Sequence, residues 1–253
     1  MNFIIFLIFG LLPSIIWLLY FLRKDVHPEP KRMVLRIFLW GMLITLPAYF
    51  IEEGIKTLNL PHIFYTFLGI AGTEEILKYL VVKFRVLNNP EFDEPLDLML
   101  YMIIAGLGFA GLENILYLLK SPTLLLVVII SFLRFLGATF LHTLCSGIFG
   151  YFLALSFFKP KNEVKFSTIG LLIAVGAHGL FDLSFEGVFN SLEVITQGIT
   201  QESTIKIIKP DLLVSSIFIL LTILISLAIF VLQGFNKLKK MKSVCLIEKK
   251  ELK

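Results

Sequence analysis

The sequence predicts an all-α polytopic membrane helix bundle of about seven transmembrane helices, with a short re-entrant or interfacial helix near 122–133. Three observations point there. Hydrophobic residues make up 57% of the chain and charged ones only 17%, with a mean hydropathy of +0.87. A soluble domain of 253 residues cannot hide that much apolar surface. The apolar residues fall in runs of about 20, the length that crosses a bilayer. Finally, Lys and Arg concentrate in alternate loops, as they do when those loops share one side of a membrane.

Taken in order, the predicted spans are 2–22, 33–51, 62–83, 96–119, 136–158, 166–186 and 211–234. The first has no basic residue before it and no small-residue cleavage site, so it is read as a retained span. The stretch 122–133 is apolar but too short to cross, and it leads into the fifth span. Arg23, Lys24, Lys31 and Arg32 fill the first loop; Lys83 and Arg85 flank the third; Lys159, Lys161 and Lys165 fill the fifth. The tail from Asn236 adds seven lysines. Seven spans with the N-terminus outside place all of these in the cytoplasm, in a multi-pass protein of the cell membrane. Residues 1–235 then form one transmembrane domain, with its motif-bearing core at 62–186, and 236–253 a basic cytoplasmic tail. A tail of that charge suits an anionic lipid leaflet and not nucleic acid. The two cysteines, Cys145 in a span and Cys245 in the tail, exclude a disulfide framework.

A short set of polar residues remains inside the spans. Span three holds Glu74, Glu75 and Lys78; span four holds Glu113 and Asn114; span five holds His142 and Ser146; span six holds His178 and Asp182. Each ionisable group near a bilayer centre costs about 2.5–3.5 kcal/mol on insertion scales. His178 and Asp182 are four apart and share a helix face with Gly170 and Ala174. Ala138, His142, Ser146 and Gly150 form a similar stripe, as do Gly106, Ala110 and Glu113. Small residues allow close helix packing, so these faces are expected to point into the bundle. His27 and His62 fall in or beside loops and call for no special reading. Each polar feature has a plain structural reading: Glu74–Lys78 as an intrahelical pair, His178–Asp182 as a packed pair, Ser146 and Cys145 as small fillers. Four successive helices each contributing an acid or an imidazole favour chemistry over four separate coincidences.

A carboxylate in a dry site is a general base toward water, and imidazoles can bind an oxyanion or protonate a leaving amine. Asp182 would orient His178. The sum is amide hydrolysis by an activated water, with no cofactor required. Zinc is the alternative, held by His142 and His178 with Glu74 or Glu113. Familiar protease signatures are absent: there is no HExxH and no GxGD in a span. LCSG (144–147) with AHGL (177–180) has Leu144 where a rhomboid serine motif begins with glycine.

EEILK (74–78), FAGLEN (109–114), HTLCSG (142–147) and HGLFD (178–182) resemble, in order, the four motifs of the PrsW intramembrane proteases. That family is related to the CAAX-processing and bacteriocin-processing membrane endopeptidases. DVHPEPKRMVLRIFLWG (25–41) resembles its first cytoplasmic loop. The resemblance implies a membrane-embedded endopeptidase with Glu74 as general base and Glu75 as its necessary neighbour. It implies His178 at the oxyanion, with Asp182 in place of an asparagine of the CAAX branch, and Glu113 where that branch has histidine. Lys78 and Asn114 would support these groups. The implied substrates are single-span membrane proteins such as anti-sigma factors, cut on the outer side as the first step of a stress response. The rival class is a proton- or metal-coupled secondary transporter built on the same Glu/His/Asp cluster. Against it, no internal repeat is visible: each motif occurs once.

Overall fold

Helix α1 (Phe3–Leu22) starts where the Asn2 side chain accepts the N–H of Ile4, and α2 (Lys31–Lys56) follows the loop closed by Pro30. The computed structural model describes residues 2–25, 27–158, 163–200 and 210–241, with side chains to 188 and again from 213. The third predicted span is built in three pieces: one turn, α3 (His62–Phe64), a π-helical segment (Tyr65–Gly72) and α4 (Thr73–Arg85). Then come α5 (Pro95–Leu118), α6 (Leu124–Leu136), α7 (Ala138–Phe158), α8 (Glu163–Thr200) and α9 (Pro210–Leu238). Among the described residues there is no strand. Residues 242–253, most of the predicted tail and with them Cys245, lie outside the described residues.

Among the described residues, six helical stretches are long and apolar enough to cross a membrane: α1, α2, α5, the continuous run Leu124–Phe157, Glu163–Val188 and Leu213–Leu238. The chain is a multi-pass membrane protein. The 62–85 segment is not one of the six, because α4 carries Glu74, Glu75, Lys78, Lys83 and Arg85 and the apolar run is broken. Helix α6 matches the expected short helix. Thr123 caps it, and it turns only Val127, Ser131 and Arg134 inward before the chain reorients at Gly137.

Helix α5 is the centre of the bundle: 94% of its spanning window is buried, against 11–33% for the others. It packs chiefly on α7, α2 and α1. In lipid there is no hydrophobic drive between helices, so close packing and polar ties must hold them. A Cβ on Gly108 would collide with the carbonyl oxygen of Phe38, and one on Gly41 with that of Ala105. These two glycines set the close approach of α2 and α5. Thr45 Oγ1 adds a hydrogen bond to the Phe109 carbonyl across the same contact (3.3 Å). Asn114 Nδ2 donates to the Gly10 carbonyl on α1 (3.1 Å) and to Thr139 Oγ1 on α7 (3.0 Å). At the other end of α5, Asp97 Oδ2 accepts the Glu94 and Asp93 amides (2.7 and 3.0 Å), closing a capping box.

The loop before α2 docks on that end. Tyr101 Oη donates to Glu29 Oε2. Burial, with the Asp97 carboxylate nearby, pushes the Glu29 carboxyl up to about 9.

Two expectations follow. Gly108→Ala lowers thermal stability in detergent by about 1–3 kcal/mol, the usual cost of overpacking. Gly54→Ala, with nothing within 4 Å of its added methyl, does not. Glu29 holds its proton more tightly folded than unfolded, so its contribution to stability falls as pH rises from the ordinary value of 4.5 to about 9. Glu29→Gln is expected to flatten the decline of melting temperature over that window; an unchanged slope refutes the assignment.

Candidate active site

Glu74 and Glu75 sit in the first turn of α4, directly after the π-helical turn. Such wide turns recur at functional sites because they re-aim the residues that follow. Here Gly69 and Gly72 provide room for it, Gly69 lying against the Tyr65 ring and Ile55. Both glutamates and Lys78 are buried.

Lys78 is the hub. Its ammonium donates to Glu74 Oε2 (3.2 Å), Glu75 Oε1 (2.9 Å) and His142 Nδ1 (2.8 Å), and it lies 4.4 Å from the centre of the Phe109 ring. Three donors meet three acceptors, so His142 Nδ1 accepts and its Nε2–H donates to Glu113 Oε2 (2.9 Å). Glu75 Oε1 also receives His178 Nδ1–H (3.0 Å). The other nitrogen of His178 lies 3.8 Å from Glu74 Oε2 and 3.6 Å from Asp182 Oδ2. The ring therefore has a carboxylate before each of its nitrogens. The two imidazoles meet edge to face, 4.9 Å between centres.

The four helices predicted to contribute do converge. A cavity of about 260 Å³ opens onto Glu74, Glu113, His142, His178 and Asp182. Glu75, Lys78 and Asn114 do not line it; they stand behind. Ser146 is fully buried beside Gly106, as a packing residue would be, and Cys145 is a buried free thiol.

Sequence reasoning missed several residues here. Arg134 of α6 reaches Glu113 Oε2 with Nη2 (2.7 Å) and Asn114 Oδ1 with Nε, and stacks 4.2 Å above the Tyr117 ring. The signal was available: Arg134 is the only charged residue between Lys120 and Lys159. Glu52 also lines the cavity, because α2 runs to Lys56 and not to residue 51 as predicted. His62, expected to need no special reading, pairs with Glu186 (2.6 Å), another lining residue, and so joins α3 to α8 at the cavity's edge.

Glu74, His142 and His178 each offer one donor atom, all within 4.8 Å of one another. Two histidines and a carboxylate are the ligand set of a catalytic zinc site, so the donor chemistry fits a metal. Both ring nitrogens of His142 are engaged, however, one by Lys78 and one by Glu113. A metal and the present network compete for that ring.

The family described as PrsW family intramembrane metalloprotease matches residues 29–206. A protein of Geobacillus kaustophilus named Protease PrsW is 36% identical over 179 residues, 68% of this chain and 76% of that protein. Proteins of the same name from Bacillus subtilis and Oceanobacillus iheyensis are 34% and 32% identical, covering 72% and 74% of this chain and 83% and 85% of their own lengths. No solved structure matches the chain.

Removing the hub leaves the buried Glu74 and Glu75 carboxylates without the ammonium they share. Lys78→Met is expected to cost about 3–5 kcal/mol, as breaking a buried ion pair does. Thermal unfolding in detergent reads this, and a variant as stable as the parent would show that Lys78 does not hold the site.

Proposed function

The chain belongs to the PrsW family of intramembrane metalloproteases and is a membrane-embedded protease; on that premise we propose that it cuts single-span membrane proteins, of the anti-sigma-factor kind, with a water activated by Glu74. One observation carries this reading. Of the paired glutamates, only Glu74 faces the cavity, with His142 Nδ1 and His178 Nε2 at 3.7 and 3.8 Å from its Oε2.

Glu74 takes a proton from a water in the cavity while the water oxygen bonds to the scissile carbonyl carbon. The carbonyl oxygen becomes an oxyanion, which the Nε2–H of His178 stabilises. The C–N bond then breaks, and the proton held by Glu74 passes to the leaving amine. Glu75 does not touch substrate in this scheme. It fixes His178 through Nδ1 and, with Lys78, fixes Glu74. Asp182 faces the other ring nitrogen, Nε2, from the cavity side (3.6 Å). Glu113 and His142 are held by Arg134 and Lys78, and Asn114 braces Arg134. With the interrupted 62–85 segment counted as a crossing beside the six spans, the basic loops fall on one side, read as the cytoplasm, and the N-terminus and the cavity on the outer side.

The metal reading rests on the Glu74, His142 and His178 donor set. A bound zinc would supply an activated water or polarise the carbonyl. In that case His142 must exchange its Lys78 bond for the metal.

The test is cleavage of a single-span substrate by the detergent-purified chain, with and without chelator. Glu74→Gln is expected to stay folded and lose activity by about 10²–10⁴, the usual worth of a general base. Activity that survives chelation and vanishes in Glu74→Gln supports the glutamate mechanism. Loss on chelation with rescue by zinc supports the metal. Normal cleavage by Glu74→Gln sinks both, since each uses that carboxylate.

A further inference from the structure

At the opposite end of α2 from Glu52, a second cavity of about 380 Å³ is lined by Arg36, Trp40, Phe84, Arg85, Asn88, Asn89 and Pro90. Arg36 and Glu52 are sixteen residues apart on one helix, roughly 24 Å along its axis. The cavity is therefore separate from the protease site. Helices α2 and α4 run antiparallel, so Arg36 near the start of one meets Arg85 at the end of the other.

Both guanidiniums are free of acids. Among the described residues, neither Arg36 nor Arg85 has a carboxylate within 4.0 Å. The acids of the following loop do not line the cavity, and one of them, Glu94, is paired with His27 (2.8 Å). Arg85 is held in place by the Trp40 ring, 4.0 Å from its Cζ to the ring centre. Two convergent arginines, one of them pinned on an aromatic face, with amides beside them, are the donor set for a phosphate. Apolar surface adjoins it: Phe84 of the lining is 70% exposed, and Leu35 and Leu39, next to Arg36 and Trp40 in the α2 sequence, are 58% and 47% exposed. Tryptophan and arginine at a helix end with apolar residues alongside mark the headgroup level of a bilayer.

We propose that this cavity binds the phosphodiester headgroup of an anionic phospholipid, with Arg36 and Arg85 on the phosphate, Asn88 on the headgroup, and the acyl chains leaving past Phe84 and the exposed apolar residues of α2. The lipid bridges α2 to the end of α4, the helix whose other end carries Glu74. The site stands apart from the proposed catalytic mechanism.

Native mass spectrometry of the full chain in neutral detergent, titrated with phosphatidylglycerol or phosphatidylcholine, tests it. Phosphatidylglycerol is expected to be retained in preference to phosphatidylcholine. Arg36→Gln and Arg85→Gln should each weaken retention roughly fivefold, the effect of one basic residue at an anionic surface. Lys31→Gln, on another face of α2, should not. Asn88→Asp, which leaves both arginines and adds a negative charge, gives a second measure and should also weaken it. Equal retention of the two lipids, or undiminished retention in the double arginine variant, overturns the proposal. Displacement of the lipid by millimolar inorganic phosphate also overturns it, since the cavity would then read a free anion and not a lipid.

Discussion

The ammonium of Lys78 is the point on which the site depends. A lysine fully removed from solvent is costly unless every donor is met by an acceptor and its charge is balanced. Here the three acceptors come from two helices, α4 and α7, and Glu75 passes the network on to α8 through His178. His142 carries it to Glu113 on α5, and Arg134 closes it from α6. Five helices are thus fixed relative to one another by one connected set of charge-assisted bonds. In a bilayer, where apolar side chains gain nothing by preferring each other to lipid, such a set is among the few forces able to specify a single arrangement.

The network also divides labour between two chemically identical neighbours. Glu74 and Glu75 differ by about 100° of helix rotation. That rotation turns one carboxylate to the cavity and the other to a lysine and a histidine. The wide turn at Tyr65–Gly72 fixes the rotational setting of α4, so backbone geometry one turn upstream decides which glutamate meets solvent.

Much of this was legible in the sequence. Every ionisable residue singled out in spans three to six lies in the cavity wall or directly behind it, because such a group inside an apolar run has few reasons to be there, whereas Ser146 only packs on Gly106. The short helix near 122–133 and the family were legible too, the latter from four short motifs in order. What escaped lay at boundaries. Glu52 fell one residue past the predicted end of its span. Arg134 fell between a helix too short to cross and the span after it, and its partners Glu113 and Asn114 are 21 and 20 residues away, where no local periodicity reaches. The π-helical turn has no side-chain period of its own to read. The pairing of His62 with Glu186 joins positions 124 apart, which only the tertiary fold can bring together.

The burial of α5 has a consequence for how the chain is made. During synthesis this helix enters the membrane as any span does, and at that moment its neighbours on the C-terminal side do not yet exist. Glu113 and Asn114 must then be carried without Arg134, Thr139 or His142, which all follow in the chain. The rest of α5 therefore has to be apolar enough to be retained on its own, although in the finished protein it scarcely meets lipid. Its sequence is selected twice, once by hydrocarbon in the nascent chain and once by glycine-scale packing in the mature one. The second demand is met in part by α2, already in place, and in full only when α7 packs Ser146 and Gly150 onto α5.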